Sequence, residues 1–185
     1  MAVPEFYSGK TLYPAIAVLI GLSALFGLAI LPRLSPAGGG RGGGMTGKPA
    51  PALSVPVVAN GDPGARLDLA NLTGQAVVLD FWATHCPPCM VQSPIVDRVA
   101  RRFAKDGLVV IGINVDEPAE VARRYAQQKG LSFPIALDDS GDAVRSYGVN
   151  SIPTLVVIDR QGKVVAYVNG LVDEGSLSEM VAAAL

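Results

Sequence analysis

Ala76-Val-Val-Leu-Asp-Phe-Trp-Ala-Thr-His-Cys-Pro-Pro-Cys89 is the stretch on which the reading of the fold turns. Its first seven residues, Ala76 to Trp82, form a nearly unbroken apolar run, as expected of a central strand covered on both faces. The run stops just before a pair of cysteines. From Met90 to Ala104 the spacing changes: Val91, Ile95, Val99 and Phe103 recur at fours, with Arg98, Arg101, Arg102 and Lys105 among the other positions. A buried strand that runs straight into an amphipathic helix puts Cys86 and Cys89 at the helix N-terminus. A thiolate there faces unpaired backbone N–H groups and the positive end of the helix dipole, so its pKa falls. Cys86 is the expected nucleophile. Cys89, about one turn deeper, is the expected resolving thiol, placed to attack a mixed disulfide at Cys86.

Outward from this segment, short apolar runs alternate with amphipathic stretches. Val55 to Ala59 and Ala65 to Leu69 read as strands around the turn signal Asn60-Gly-Asp-Pro-Gly64. Leu108 to Val115 reads as a second buried strand, Ala119 to Lys129 as a helix stopped by Gly130, and Phe133 to Leu137 as a short strand. Leu155 to Ile158 and Val164 to Asn169 flank Asp159-Arg-Gln-Gly162 as an antiparallel hairpin, and Glu174 to Leu185 closes the chain as a helix. The expected class is α/β, a central mixed sheet with helices on both faces and an N-terminal hairpin extension.

Residues 51–185 form the expected domain, and the chain before it has a different character. After a short segment at 1–11, residues 12–31 (LYPAIAVLIGLSALFGLAIL) carry no charge, with Lys10 and Arg33 just outside. Twenty helical residues span roughly 30 Å, the thickness of a bilayer hydrocarbon core, so this run is expected to be an uncleaved membrane anchor. A cleaved signal peptide, the competing reading, has a shorter apolar stretch and a small-x-small site that this segment lacks. A third of the 21 glycines fall between Gly38 and Gly47, so residues 32–50 are expected to be a flexible tether. Arg33 and Arg41 against Lys10 give a basic-residue count that favours a cytoplasmic domain.

A net charge of -1 and the lack of any long basic run argue against a nucleic-acid partner. The two cysteines are the only ones in the chain and too close together to staple a fold. Zinc would need two more Cys or His ligands, and His85 is the single histidine. A soft Cu(I) site drawn from Cys86, Cys89 and either His85 or Met90 is chemically available.

Val77 to Cys89 resembles the active-site segment of thioredoxin-like proteins, in particular the membrane-anchored TlpA/ResA-like branch. Tyr147-Gly-Val-Asn-Ser-Ile-Pro-Thr154 is similar to that family's second signature, and Asn114-Val-Asp-Glu-Pro118 to a stretch characteristic of the branch. The resemblance covers about Pro51 to Leu185 and implies a thioredoxin-like fold and a thiol-disulfide oxidoreductase. Its redox group would be the Cys86–Cys89 disulfide itself, with no separate cofactor or metal. The resemblance also implies a cis Ile152–Pro153 bond beside the pair, where the Ile152 backbone is free to pair with an extended client strand. Trp82, Pro87, Pro88 and Ile152 are then the client-binding residues, and Pro153 joins the cysteines in the catalytic set. Asp80 sits inside the apolar strand, where burial raises its pKa. It matches the buried acid thought to exchange protons with the deeper cysteine. Two positions depart from the family pattern. His85 stands where Trp is usual, and Gln92 where the branch often carries Glu. His85, when protonated, would stabilise the Cys86 thiolate, or it is a plain surface residue.

CxxC domains span potentials from about -270 to -120 mV, worth roughly 7 kcal/mol, so spacing alone leaves the redox direction open. The resemblance leans toward a reductant of extracytoplasmic client proteins, in cytochrome c maturation or copper-site assembly. A membrane-bound thiol-disulfide carrier would recharge it, and the domain would face the periplasmic or extracytoplasmic side of a bacterial cytoplasmic membrane, where disulfides persist. The flanking charges oppose that orientation. A copper carrier using the same cysteines, and a thiol peroxidase, are the rival readings.

Overall fold

The computed structural model describes residues 44–185 apart from Pro63. The segment at 1–11, the expected anchor at 12–31 and most of the expected tether therefore lie outside the described residues. Among the described residues no helix is long and apolar enough to cross a membrane.

The strands are β1 (Ser54–Ala59), β2 (Arg66–Asp68), β3 (Ala76–Trp82), β4 (Leu108–Val115), β5 (Ile135–Asp138), β6 (Thr154–Ile158) and β7 (Val164–Asn169). The helices are α1 (Pro87–Phe103), α2 (Ala119–Lys129), α3 (Asp142–Ser146) and α4 (Glu174–Ala184). One seven-stranded mixed sheet has the order β2-β1-β5-β4-β3-β6-β7. β3 is parallel to β4 and antiparallel to β6, and β4 is parallel to β5. β1 pairs with β2 around the expected turn, with Val55 opposite Leu67.

Every residue of β3 is buried, as its apolar run requires. Side chains alternate across a strand, so the run divides between two cores. Ala76, Val78 and Trp82 join α1, α2 and α4 on one face, through Val96, Val99, Ala122, Ala126, Leu177 and Val181. Val77, Leu79 and Phe81 face the other core with Leu53, Val55, Ala143 and Tyr147. The three longer helices thus share one face, and the opposite face is closed by the N-terminal strand region and short α3.

Three expectations are corrected. The repeat at Val91, Ile95, Val99 and Phe103 marks only part of the face that α1 buries: Val99 is buried and Ile95 and Phe103 pack half-buried against the core. The buried residues are Cys89, Gln92, Ser93, Val96 and Val99, while Val91 is 56% exposed. Two polar side chains occupy the buried stripe because they find partners there. Val172 N–H donates to Gln92 Oε1 at 2.8 Å, Gln92 Nε2 donates to the Val172 carbonyl at 3.3 Å, and the Ser93 hydroxyl donates to the Cys89 carbonyl at 2.9 Å. Second, α3 was not foreseen. Its five residues show no periodicity, and its N-terminus is satisfied from outside, Asp138 accepting from Ala143 N–H at 3.1 Å and Val144 N–H at 2.9 Å. Third, the last residues of the expected tether are bonded to the domain. Gly47 N–H donates to Val164 O and Val164 N–H to Lys48 O, so this segment covers part of the β7 edge.

The exposure of Val91 and burial of Val96 make a direct prediction. Val96→Ala lowers the unfolding free energy of the oxidised protein in urea by about 2 kcal/mol. Val91→Ala changes it by less than about 0.5 kcal/mol, whereas a core formed by the fours repeat would give Val91→Ala the larger loss.

Candidate active site

β3 ends at Trp82, and Ala83-Thr84-His85 carries the chain to the N-cap of α1, which is Cys86 itself. Pro87 and Pro88 occupy the first helical positions, where the N–H they lack would have no intrahelical partner. The Cys86 sulfur accepts from Cys89 N–H at 3.2 Å and so does the work usually done by a Ser or Asp oxygen. The two sulfurs are joined in a disulfide. Cys86 is 7% exposed and Cys89 wholly buried, so one sulfur lies at the rim and the other beneath it.

Across from the pair, Ile152–Pro153 is cis, and Cys86 Sγ lies 3.6 Å from the Ile152 carbonyl oxygen. Pro153 is buried and Ile152 half-buried, and the Pro153 carbonyl accepts from Gly170 N–H at 2.8 Å. Pro87 and Pro88 are exposed. Trp82 is not available as a client-facing surface: it is 1% exposed and its ring packs against Tyr125, 5.0 Å between centroids. Strand alternation points it into the helix-covered core, so it supports the site from below.

Asp80 is 1% exposed, pairs in register with Gly112 on β4, and shares the parity of Trp82 along β3. Its Oδ1 has no hydrogen-bond partner among the described residues. Burial without a counter-charge pushes its pKa up from 3.8 to about 7. The Trp82 indole N–H, without a hydrogen-bond partner among the described residues, and the Tyr125 hydroxyl lie on the same side of the sheet. Gly112 leaves room for this group: a Cβ there would stand 2.9 Å from Ile135 Cδ1 and Phe133 Cε2 and 3.1 Å from Trp82 Nε1.

Gln92 is wholly buried, its amide engaged with Val172, so it ties α1 to the segment leading into α4. His85 is exposed, with Nδ1 3.4 Å from Glu117 Oε1. Glu117 is the residue that sequence reasoning passed over. It follows β4, and its side chain is 8% exposed. Thr84 N–H and Asn114 Nδ2 each donate to its Oε2 at 2.7 Å, and the Thr84 hydroxyl donates to Oε1. Partial burial alone would raise its pKa, but the bonds from Asn114, Thr84 and His85 outweigh burial and hold it below the usual carboxylate range. The available signal was the Asn114-x-x-Glu117 spacing directly after a buried strand.

A thioredoxin-like sheet with a CxxC pair at the strand-to-helix junction and a cis-proline opposite defines a thiol-disulfide oxidoreductase. Residues 46–167 match the AhpC/TSA family, and the chain belongs to it. The thiol-disulfide oxidoreductase ResA of Halalkalibacterium halodurans is 31% identical over 118 residues, 64% of this chain and 67% of that protein. Among solved structures, a thiol:disulfide interchange protein of the thioredoxin family from Chlorobium tepidum aligns with TM-score 0.66 and 28% identity, covering 74% of this chain and 94% of that one. A secreted Mycobacterium tuberculosis disulfide oxidoreductase homologous to E. coli DsbE aligns with TM-score 0.62 and 26% identity, covering 71% and 95%.

Asp80 makes the domain's stability pH-dependent. Below about pH 4 the carboxyl is protonated in both folded and unfolded chains and contributes no difference. Between about 4 and 7 the unfolded chain releases its proton while the folded one keeps it, so the folded state loses stability as pH rises; above about 7 the loss is constant. Asp80→Asn is therefore expected to raise the urea midpoint of the oxidised protein at pH 8 and leave it nearly unchanged at pH 4. An equal change at both pH values would mean that Asp80 ionises normally in the folded protein.

Proposed function

We propose that this protein reduces disulfides in extracytoplasmic client proteins of the cytochrome c maturation or copper-site assembly type. Residues 12–31 hold it to the cytoplasmic membrane, and a membrane-bound thiol-disulfide carrier recharges it. The observation that carries the reading is the graded burial of the pair, Cys86 at the rim of the N-cap and Cys89 beneath it. The kinship with ResA, a thiol-disulfide oxidoreductase by name, supports the reductive chemistry. The uncharged run at 12–31 supports the tether to a membrane.

In the reduced protein the Cys86 thiolate attacks one sulfur of a client disulfide. A Cys86–client disulfide forms, and the first client sulfur leaves as a thiolate that takes a proton. Cys89 then gives up its proton, with Asp80 as the buried acceptor, and its thiolate attacks Cys86 Sγ. The second client sulfur leaves, the Cys86–Cys89 disulfide closes, and two electrons have passed to the client. An acid with a pKa near 7 suits a group that takes a proton and returns it in each cycle. Pro87, Pro88 and the Ile152 backbone border Cys86 where an extended client segment would lie.

One set of measurements separates this reading from its rivals: the potential of the Cys86–Cys89 couple, insulin reduction, Cu(I) titration and peroxide turnover. A potential near -270 mV with insulin reduction is expected. Tight Cu(I) binding without disulfide exchange, or peroxide turnover without it, would replace it with the carrier or the peroxidase. Cys89→Ser is expected to accumulate mixed disulfides with client proteins through Cys86, and Cys86→Ser to form none. Asp80→Asn is expected to slow the Cys89 step and flatten its pH profile around neutrality; an unchanged profile removes Asp80 from the proton path.

A further inference from the structure

The turn before Cys86 has few internal bonds, since Cys86 N–H reaches the Ala83 carbonyl only at 3.4 Å. What holds it comes from the next strand over. Glu117 takes the Thr84 N–H at 2.7 Å and the Thr84 hydroxyl, while Asn114, wholly buried on β4, donates to the same carboxylate at 2.7 Å. The same carboxylate lies 3.4 Å from His85 Nδ1, on the residue adjoining the nucleophile. An ionised, mostly buried carboxylate with this many donors is a rigid group, and charge-assisted bonds of this kind are stronger than neutral ones.

We propose that Glu117 is a positioning residue for Cys86: it clamps the Thr84–His85 turn and pairs with the His85 ring, so that the field at the Cys86 sulfur comes from the Glu117–His85 pair rather than from His85 alone. A bare carboxylate near Cys86 would disfavour the thiolate. The donors held against that carboxylate, from Asn114, Thr84 and the His85 ring, offset it. The other groups at this corner are Thr84 and Asn114, which are neutral, and the carboxylates of Asp116, Asp138 and Asp139, which line the same cleft beyond Glu117. No Lys or Arg lines that cleft among the described residues, and the ring of His85, the residue before Cys86, is what meets the Glu117 carboxylate on the side of the thiol. The inference rests on Cys86 as the attacking thiol. It does not depend on the client or on the direction of electron flow.

The test follows the pH dependence of Cys86 alkylation by iodoacetamide in the reduced full-length protein, which requires no client. Thermal unfolding of the oxidised form reports folding. Glu117→Ala is expected to shift the alkylation profile along the pH axis and to change the rate at pH 7 by roughly tenfold, through lost placement of the sulfur. Glu117→Gln retains one acceptor oxygen for Thr84 but no charge, so it is expected to shift the profile with a smaller change in maximal rate. His85→Ala is expected to shift the profile by a different amount in the Glu117→Gln background than in the parent, because the two side chains act as a pair. A folded Glu117→Ala protein with the parent profile overturns the proposal, and so do Glu117 and His85 effects that simply add. If Glu117→Ala does not fold, Glu117→Gln and Thr84→Val take its place, and unchanged profiles in both overturn the proposal equally. A normal Glu117 effect in a protein that reduces no insulin would refute the proposed function and leave this inference standing.

Discussion

A sulfur atom caps the longest helix of the domain, and the site is built around that contact. Cys86 can accept the Cys89 N–H only because β3, buried on both faces, delivers the chain to the start of α1 with no room to wander. The same geometry sets the two sulfurs at different depths. The capping position lies at the domain surface, and the next residue on that face of the helix, three positions on, points into the core. Two prolines in the first turn remove N–H groups that would otherwise compete for the cap.

Around this junction the core tolerates more polarity than packing alone would favour. Gln92 and Ser93 are satisfied by backbone groups, and each ties α1 to something: Gln92 to the segment before α4, Ser93 to the preceding turn of its own helix. Asp80 is different. Among the described residues one of its oxygens has no partner, and burial favours the neutral acid. A group kept at the expense of stability on the same side of β3 as Trp82 is where local folding rules are expected to yield to chemistry.

Much of this was readable beforehand because the strands and the helix ends announce themselves in local terms. β3, β4 and the β6–β7 hairpin are short apolar runs bounded by turn residues, and α2 stops at Gly130, which adopts φ +63°. The hidden parts depended on partners far along the chain. α3 has only five residues and borrows its N-terminal bonding from Asp138. The place of Val91 on α1 was misread because an apolar repeat at fours fits a helix just as well when one member is exposed. Whether Val91 or Gln92 is buried depends on Val172, eighty residues away.

The sequence by itself determined the α/β class, the strand-to-helix junction and the place of the two cysteines at it. Each of these follows from burial and dipole effects acting within about twenty neighbouring residues. Only the tertiary structure decided what surrounds them: Trp82 as a buried support, Gln92 as a backbone tie, and Glu117 as the carboxylate bonded to the turn before Cys86. Those outcomes depend on parallel pairing of β3 with β4, which sets Trp82 beside Asn114 and brings the loop after β4 to the turn before Cys86. Pairing across a sheet leaves no periodicity in either strand from which the contact could be read.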